Sequence, residues 1–215
     1  MARGKFITFE GGEGGGKSTQ VKRLIAALES AGIRAISTRE PGGAPASEDI
    51  RELLVSGAVD RWTPMAEVLL NYAAREIHVA KTIIPALDQG IWVISDRFAD
   101  STMAYQGYGG GIDRDRIVNI HKAVLNDFMP DLTLILDLPV EQGLARAGKR
   151  LANDASNEDR FERMGRDFHN RLREGFLAIA SDDPKRCRVI NAEVDADAVF
   201  AAVTDAVNDA LGVTI

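Results

Sequence analysis

Phe6-Ile7-Thr8-Phe9-Glu10-Gly11-Gly12-Glu13-Gly14-Gly15-Gly16-Lys17-Ser18 is the stretch that decides the fold. Phe6 to Phe9 is a short apolar run that reads as a buried strand. Beyond Ser18, the residues Val21, Leu24, Ile25 and Leu28 recur at i, i+3, i+4, i+7, one face of a helix. Gly32 stands where a helix-terminating glycine belongs. Between strand and helix, Gly11 to Ser18 fits the pattern G-x-x-x-x-G-K-[ST]. Glycines there let backbone N–H groups turn inward around phosphate oxygens, and the helix that follows points its positive end at the anion. In such a cradle Lys17 reaches the outer phosphates. Ser18, with Thr19 beside it, supplies a hydroxyl for Mg²⁺.

Strand-like and helix-like stretches alternate from there on. Ala35–Thr38, Ile91–Ser95, Leu132–Leu136 and Arg188–Ile190 read as four further strands. Helices are predicted over 47–55, 64–87, 113–127, about 139–150 and 158–181, with Pro85 bending or shortening the second. Val199, Val203, Val207 and Leu211 give a final helix. This order predicts an α/β fold of three layers. A five-stranded parallel sheet carries helices on both faces, in a single domain over 1–215. Ligands in such sheets bind beyond the carboxyl ends of the strands, where the motifs fall.

The chain has 215 residues, 45% of them hydrophobic and 27% charged. This is the ordinary globular balance, not that of a disordered or collagen-like chain. The single cysteine, Cys187, cannot form a bridge within the chain. The formal net charge of −6 argues against a broad nucleic-acid-binding surface. No window approaches the roughly 20 apolar residues of a membrane span, and the N-terminus lacks a signal peptide's apolar core. A cytoplasmic protein with no membrane or nucleic-acid partner is expected. His78, His121 and His169 lack ligand spacing with Cys187, so they read as surface or packed residues.

A second anion site is expected beside the first. Arg39-Glu40-Pro41-Gly42-Gly43 follows the second strand, Arg51 and Arg75 lie in the next two helices, and Asp96-Arg97 ends the third strand. Arginine binds phosphate through a planar fork whose charge does not titrate away. Asp96 offers an oxygen to Mg²⁺ or its waters, and Asp137, at the end of the fourth strand, is an alternative acid. Ser101-Thr102-Met103-Ala104-Tyr105-Gln106-Gly107 offers hydroxyl, amide and aromatic groups suited to a base and sugar. No Asn-Lys-x-Asp guanine-reading segment is present, which argues against a GTPase.

Taken together these residues resemble the thymidylate kinase family. The resemblance is carried by Phe9-Glu10-Gly11 into the phosphate loop, Thr38-Arg39-Glu40-Pro41-Gly42-Gly43, Asp96-Arg97-Phe98, Ser101 to Gln106, and Asp159-Arg160-Phe161-Glu162. It implies transfer of a phosphoryl group from ATP·Mg²⁺ to dTMP, giving dTDP for dTTP synthesis. It implies that Arg97 holds the dTMP phosphate with Arg39 and Arg51, that Pro41 borders the substrate, and that Arg75 and Thr102 face the thymine edge. Tyr105 would lie against the deoxyribose, Glu10 near the 3′-hydroxyl, and Gln106 would close the acceptor pocket. The family's Asp-Arg-aromatic motif further implies a cis Arg97–Phe98 bond, a form that costs about 3–4 kcal/mol.

Glu13 stands where one branch of the family has a phosphate-loop arginine, so this chain resembles the bacterial branch that draws its catalytic arginine from a lid. The lid would span about 149–159. Arg150 is the first catalytic candidate and Arg160 the second, with Arg146 packing on adenine. The family usually has a phenylalanine four residues before the arginine matched by Arg75, and it stacks on thymine. Asn71 cannot do so, and Tyr72 points about 100° away on a helix. Either the pocket is rearranged or base affinity is weaker. The family is usually dimeric, and helix 64–87 would supply the shared face. The alternatives are a kinase for another nucleoside monophosphate or a deoxynucleoside, or a non-catalytic nucleotide-dependent switch.

Overall fold

The computed structural model describes residues 2–151, 160–161 and 163–215, with 150 and 151 described by backbone alone. Five parallel strands form one sheet in the order β2-β3-β1-β4-β5. They are β1 Phe6–Glu10, β2 Ala35–Arg39, β3 Trp92–Asp96, β4 Leu132–Asp137 and β5 Cys187–Asn191. The central strand β1 is buried along its whole length, because it has neighbours on both edges and helices on both faces. Its register sets Phe9 opposite Asp96 on one side and Leu134 on the other. The β1 end, the Asp96 end and the Asp137 end therefore open onto one rim.

Helix α1, Lys17–Ser30, closes against Gly32 at φ +74°, as its sequence implies. It packs with α9, Ala196–Leu211, on one face. Leu24, Leu28, Val203 and Val207 are buried there against Ile7, Ile94 and Leu134. Each such side chain contributes roughly 1.5–3 kcal/mol of burial. The other face carries α3, Pro64–His78; α4, Ile84–Asp88; and α6, Arg114–Leu125, around Phe6, Val68, Tyr72 and Phe98. Helix α8, Arg166–Asp182, packs there around Tyr105, Leu172 and Phe176. The short helices α2, Pro45–Val55, and α5, Ala99–Thr102, and the helix α7, Val140–Leu151, ring the rim.

Three expectations change. The helix of 64–87 is not continuous: α3 widens into a π-helical turn at Val79–Ile83 before α4. Pro85 has no N–H to give to the preceding turn, and the wider turn absorbs the loss. A second π-helical turn, Met103–Gly109, carries Tyr105 and Gln106. Helix α8 begins at Arg166 rather than 158, after Gly165 in an extended conformation. Finally, the cis bond falls at Glu40–Pro41, not at Arg97–Phe98. The strain expected at the Asp-Arg-aromatic motif is held instead in the positive φ of Arg97, +74°. The lid segment 152–159 and the Arg150 side chain lie outside the described residues. No helix of the described residues is long and apolar enough to cross a membrane.

Candidate active site

A cavity of about 510 Å³ lies on the rim where β1, β2 and β3 end, well within the usual size of a small-ligand site. One end is walled by Gly14, Gly15, Gly16, Lys17, Ser18 and Thr19. Gly16 is the N-cap of α1 at φ +85°. Lys17 curls back over the loop, its Nζ donating to the carbonyls of Gly11 (3.1 Å) and Gly12 (2.8 Å). Burial, then the nearby Arg97 charge, pushes the Lys17 ammonium down to about 8. Ser18 donates its hydroxyl to Asp96 Oδ2 at 2.7 Å. These are two hard oxygen donors from separate elements, a fit for Mg²⁺, which takes one or two protein oxygens beside substrate phosphates. Asp137, the alternative acid, is engaged elsewhere. Its two oxygens take a bidentate pair from Arg173 of α8, at 2.7 and 2.8 Å.

The other end of the cavity is cationic. Arg39, Arg51 and Arg97 all line it, with Glu13 and Pro41. Arg97 is partly buried and anchored by three acceptors: Gly11 O at 3.0 Å, Ser101 Oγ at 3.2 Å and Glu13 Oε1 at 2.9 Å. Its guanidinium lies 5.0 Å from the Tyr105 ring centre. Burial opposes its charge, but Tyr105, Glu13, Asp96 and Glu10 together hold it above the ordinary guanidinium value. Arg51 donates to Pro41 O at 2.8 Å, and Arg39 pairs with Glu48 at 3.0 Å. Arg146, at the far side, donates to Ala192 O at 3.1 Å and also lines the cavity.

Glu10 does not face this space. It is fully buried, accepting from Phe98 N at 2.7 Å and from the Ser101 hydroxyl at 2.5 Å. Burial, reinforced by Asp100, pushes its carboxyl up to about 8. The acid that lines the cavity is Glu13, bonded to Arg97 and to the Tyr105 hydroxyl. Glu10 ends a strand paired on both edges, whereas Glu13 sits in the open loop. Two acids three residues apart are not told apart by sequence alone.

Thr102, Tyr105, Gln106, Asn71 and Phe161 complete the pocket. Arg75 is set behind it, buried, giving Nε to Glu40 at 2.7 Å and Nη2 to Thr102 at 2.9 Å. Its Nη1 is buried with no partner among the described residues. Asn71 turns its Nδ2 back to the Glu67 carbonyl at 2.9 Å. Tyr72 is buried in the core against His121, as the helical angle requires. The pocket's aromatic walls are Tyr105 and Phe161, edge to face at 5.2 Å.

Arg160 is not brought to the phosphate loop. It is fully buried and donates to the carbonyls of Leu54, Ala58 and Val59 and to Glu67. Glu67 also takes the Gln106 amide at 2.9 Å. The sequence reading missed Glu67. Its signal was present: Glu67, Asn71 and Arg75 follow one another at i, i+4, i+8, a polar stripe on a helix whose neighbours Val68 and Ala74 are core.

A phosphate loop at one end of a cavity and a cluster of arginines at the other define a P-loop phosphotransferase that acts on a phosphorylated acceptor. The sequence model of thymidylate kinase matches residues 9–203. A thymidylate kinase of Caulobacter vibrioides is 53% identical over 99% of this chain and 100% of its own length, and one of Geobacter sulfurreducens is 48% identical over 94% and 95%. The crystal structure of thymidylate kinase from Ehrlichia chaffeensis superposes with a TM-score of 0.75 at 34% identity, covering 94% of this chain and 98% of that one. This chain belongs to the thymidylate kinase family.

Proposed function

We propose that this chain transfers the γ-phosphoryl group of ATP to the 5′-phosphate of dTMP, yielding ADP and dTDP. The observation that carries the reading is the single cavity shared by the phosphate loop and by Arg39, Arg51 and Arg97. It has room for a donor phosphate chain and an acceptor phosphate, with fixed cations between them.

The acceptor is already a phosphate oxyanion, so no strong general base is needed and catalysis is positioning and charge neutralisation. Backbone N–H groups of residues 14–18 and Lys17 bind the donor phosphates. Arg97, held on three sides, orients the acceptor phosphate, helped by Arg39 and Arg51. Ser18 and Asp96 would hold Mg²⁺, which supplies charge neutralisation on the donor phosphates. Arg146 offers a flat cation to the adenine. Glu13, rather than Glu10, is the acid available to a sugar hydroxyl beside Tyr105. Arg75 and Thr102 serve the base edge, and Phe161 with Tyr105 supplies the aromatic wall that Asn71 cannot. Arg150 carries the lid-arginine role, because the Arg160 fork is committed to four other acceptors.

A homodimer in the cytoplasm is the accompanying reading. Leu69 is 55% exposed on α3, and Val118 and Val124 are exposed on α6, which packs against α3. Light scattering on the purified chain checks the dimer. The activity is tested by ADP release with ATP and Mg²⁺ against dTMP, dUMP, UMP, dCMP, CMP, AMP and GMP. Strong preference for dTMP is expected. Preference for a purine nucleotide would overturn the acceptor, and no acceptor-dependent turnover would overturn the reaction.

A further inference from the structure

From the geometry around α3 we infer that Glu67, held by Arg160, is a positioning residue. It fixes the Gln106 amide so that its carbonyl faces the acceptor base, selecting thymine and uracil over cytosine. The inference rests on the thymine-directed reading and adds the mechanism by which the base is chosen.

Three contacts carry it. The Glu67 Oε1 is ion-paired with Arg160, and its Oε2 takes Gln106 Nε2 at 2.9 Å. Arg160 is in turn fixed by the carbonyls of Leu54, Ala58 and Val59 at 3.2, 3.0 and 2.7 Å. All three side chains are buried: Arg160 at 0%, Glu67 at 6% and Gln106 at 3% exposure. A guanidinium only donates, and a carboxylate paired with it only accepts. The amide beside that carboxylate therefore has one permitted orientation, with NH₂ toward Glu67. The Gln106 Oε1 is left over. Among the described residues it accepts no hydrogen bond, and Gln106 lines the cavity.

A fixed carbonyl in the base pocket asks for a donor. Thymine and uracil carry N–H at N3, with a carbonyl beside it at position 4. Cytosine reverses the pair, with a bare nitrogen at N3 and an amine at position 4. Arg75 stands behind Thr102, which lines the cavity, and its Nη1 is buried without a partner among the described residues, so its positive charge favours a carbonyl over an amine on the base. Donor and acceptor thus match thymine or uracil and are both wrong for cytosine. A site built to hydrogen-bond a group rejects analogues that leave its buried polar atoms unpaired.

The test compares kcat/KM for dTMP, dUMP and dCMP in the wild type and in Glu67→Gln. In the variant the new amide keeps its oxygen toward Arg160, so its NH₂ faces Gln106. Gln106 must then turn its carbonyl toward residue 67 and present NH₂ to the base. The expected result is that dTMP and dUMP fall together and the dTMP:dCMP ratio drops by about tenfold to a hundredfold, while the dTMP:dUMP ratio stays constant. Loss of all three acceptors in proportion would mark a merely structural role and overturn the inference. Gln106→Met, which leaves the Glu67–Arg160 pair intact, serves if Glu67→Gln does not fold. It too should lower the dTMP:dCMP ratio, and an unchanged ratio there would overturn the proposal. A wild type that ignores dTMP would sink the underlying reading instead.

Discussion

Arg97 Nη2 lies 2.9 Å from Glu13 Oε1, an ion pair that ties the end of β3 to the phosphate loop. With the Gly11 carbonyl and the Ser101 hydroxyl it fixes the guanidinium plane before any substrate arrives. Lysine keeps the charge but loses the fork. Arg97→Lys should therefore raise the KM for dTMP and lower kcat/KM by about tenfold to a hundredfold, with the KM for ATP nearly unchanged. Steady-state kinetics with each substrate varied in turn checks this. An equal loss for both substrates would mean that Arg97 serves the whole rim and not the acceptor.

Lys17 offers a cleaner separation of chemistry from folding. Among the described residues its Nζ bonds two loop carbonyls and nothing else, and its folded-state ammonium is pushed down by burial. Removing it leaves no buried charge without a partner. Lys17→Ala should keep the melting temperature within a few degrees and lower kcat by at least about 10²–10³-fold. An active variant would remove Lys17 from the mechanism.

The two strand-end acids should behave differently. Asp96 meets Ser18 at 2.7 Å, while Asp137 is bound by both arms of Arg173. Asp96→Asn should raise the Mg²⁺ concentration needed for half-maximal activity by at least about tenfold. Asp137→Asn should leave that requirement unchanged and cost about 1 kcal/mol of stability or less, since the pair is partly exposed. A Mg²⁺ titration of the two variants, read beside urea unfolding, checks both.

The frame of this molecule was legible because its signals are local. Phe6–Phe9, the glycines to Ser18 and the Leu24–Leu28 face each state a period or a motif, and β1 and α1 form where they stand. The break in 64–87 was legible only as a proline. Whether a helix kinks or widens into a π turn depends on what packs around Val79 and Ile83, both of which are core. The site was legible in its residue types and less so in their facing. Arg39, Arg51, Arg97, Thr102, Tyr105 and Gln106 do gather on one cavity. Glu13 lines the cavity and Glu10 is buried away from it, since a strand end and a loop differ in where side chains point. The motif strain at Arg97 was expected in the wrong torsion, because sequence marks a crowded turn without saying which bond absorbs it. Arg160 was read as catalytic from its place after the lid. Its carbonyl partners come from residues 54–59, about a hundred positions away.

Glu10 makes stability depend on pH in an unusual direction. Its folded carboxyl is pushed up to about 8 from an ordinary 4.5, chiefly by burial. Between those values the folded chain binds more protons at this site than the unfolded chain. Its contribution to stability is therefore complete below about 4.5 and is lost as pH rises through 8. Glu10→Gln, which does not titrate, removes that slope. The difference in melting temperature between variant and wild type should shift in the variant's favour from pH 5 to pH 8. Parallel curves would mean that Glu10 stays ionised in the folded chain.

Gly143, inside α7, holds the phosphate loop from outside. An added Cβ there would stand 2.4 Å from the Glu13 carbonyl oxygen. In return, a Cβ at Gly14, whose φ is +69°, would stand 2.1 Å from the Gly143 carbonyl. Helix and loop thus touch backbone to backbone, with no room for a side chain on either. Alanine in a helix interior is ordinarily favoured over glycine by about 1 kcal/mol, so the sign of a substitution separates propensity from contact. Gly143→Ala should lower the melting temperature and raise the KM for ATP, because either the loop or α7 must shift. Gly148→Ala, five residues on, has nothing among the described residues within 4 Å of its added Cβ. That variant should gain up to about 1 kcal/mol and leave the KM for ATP unchanged. Calorimetry and ATP kinetics on the two variants decide it: a stabilised Gly143→Ala with normal ATP binding would mean that the loop does not lean on α7.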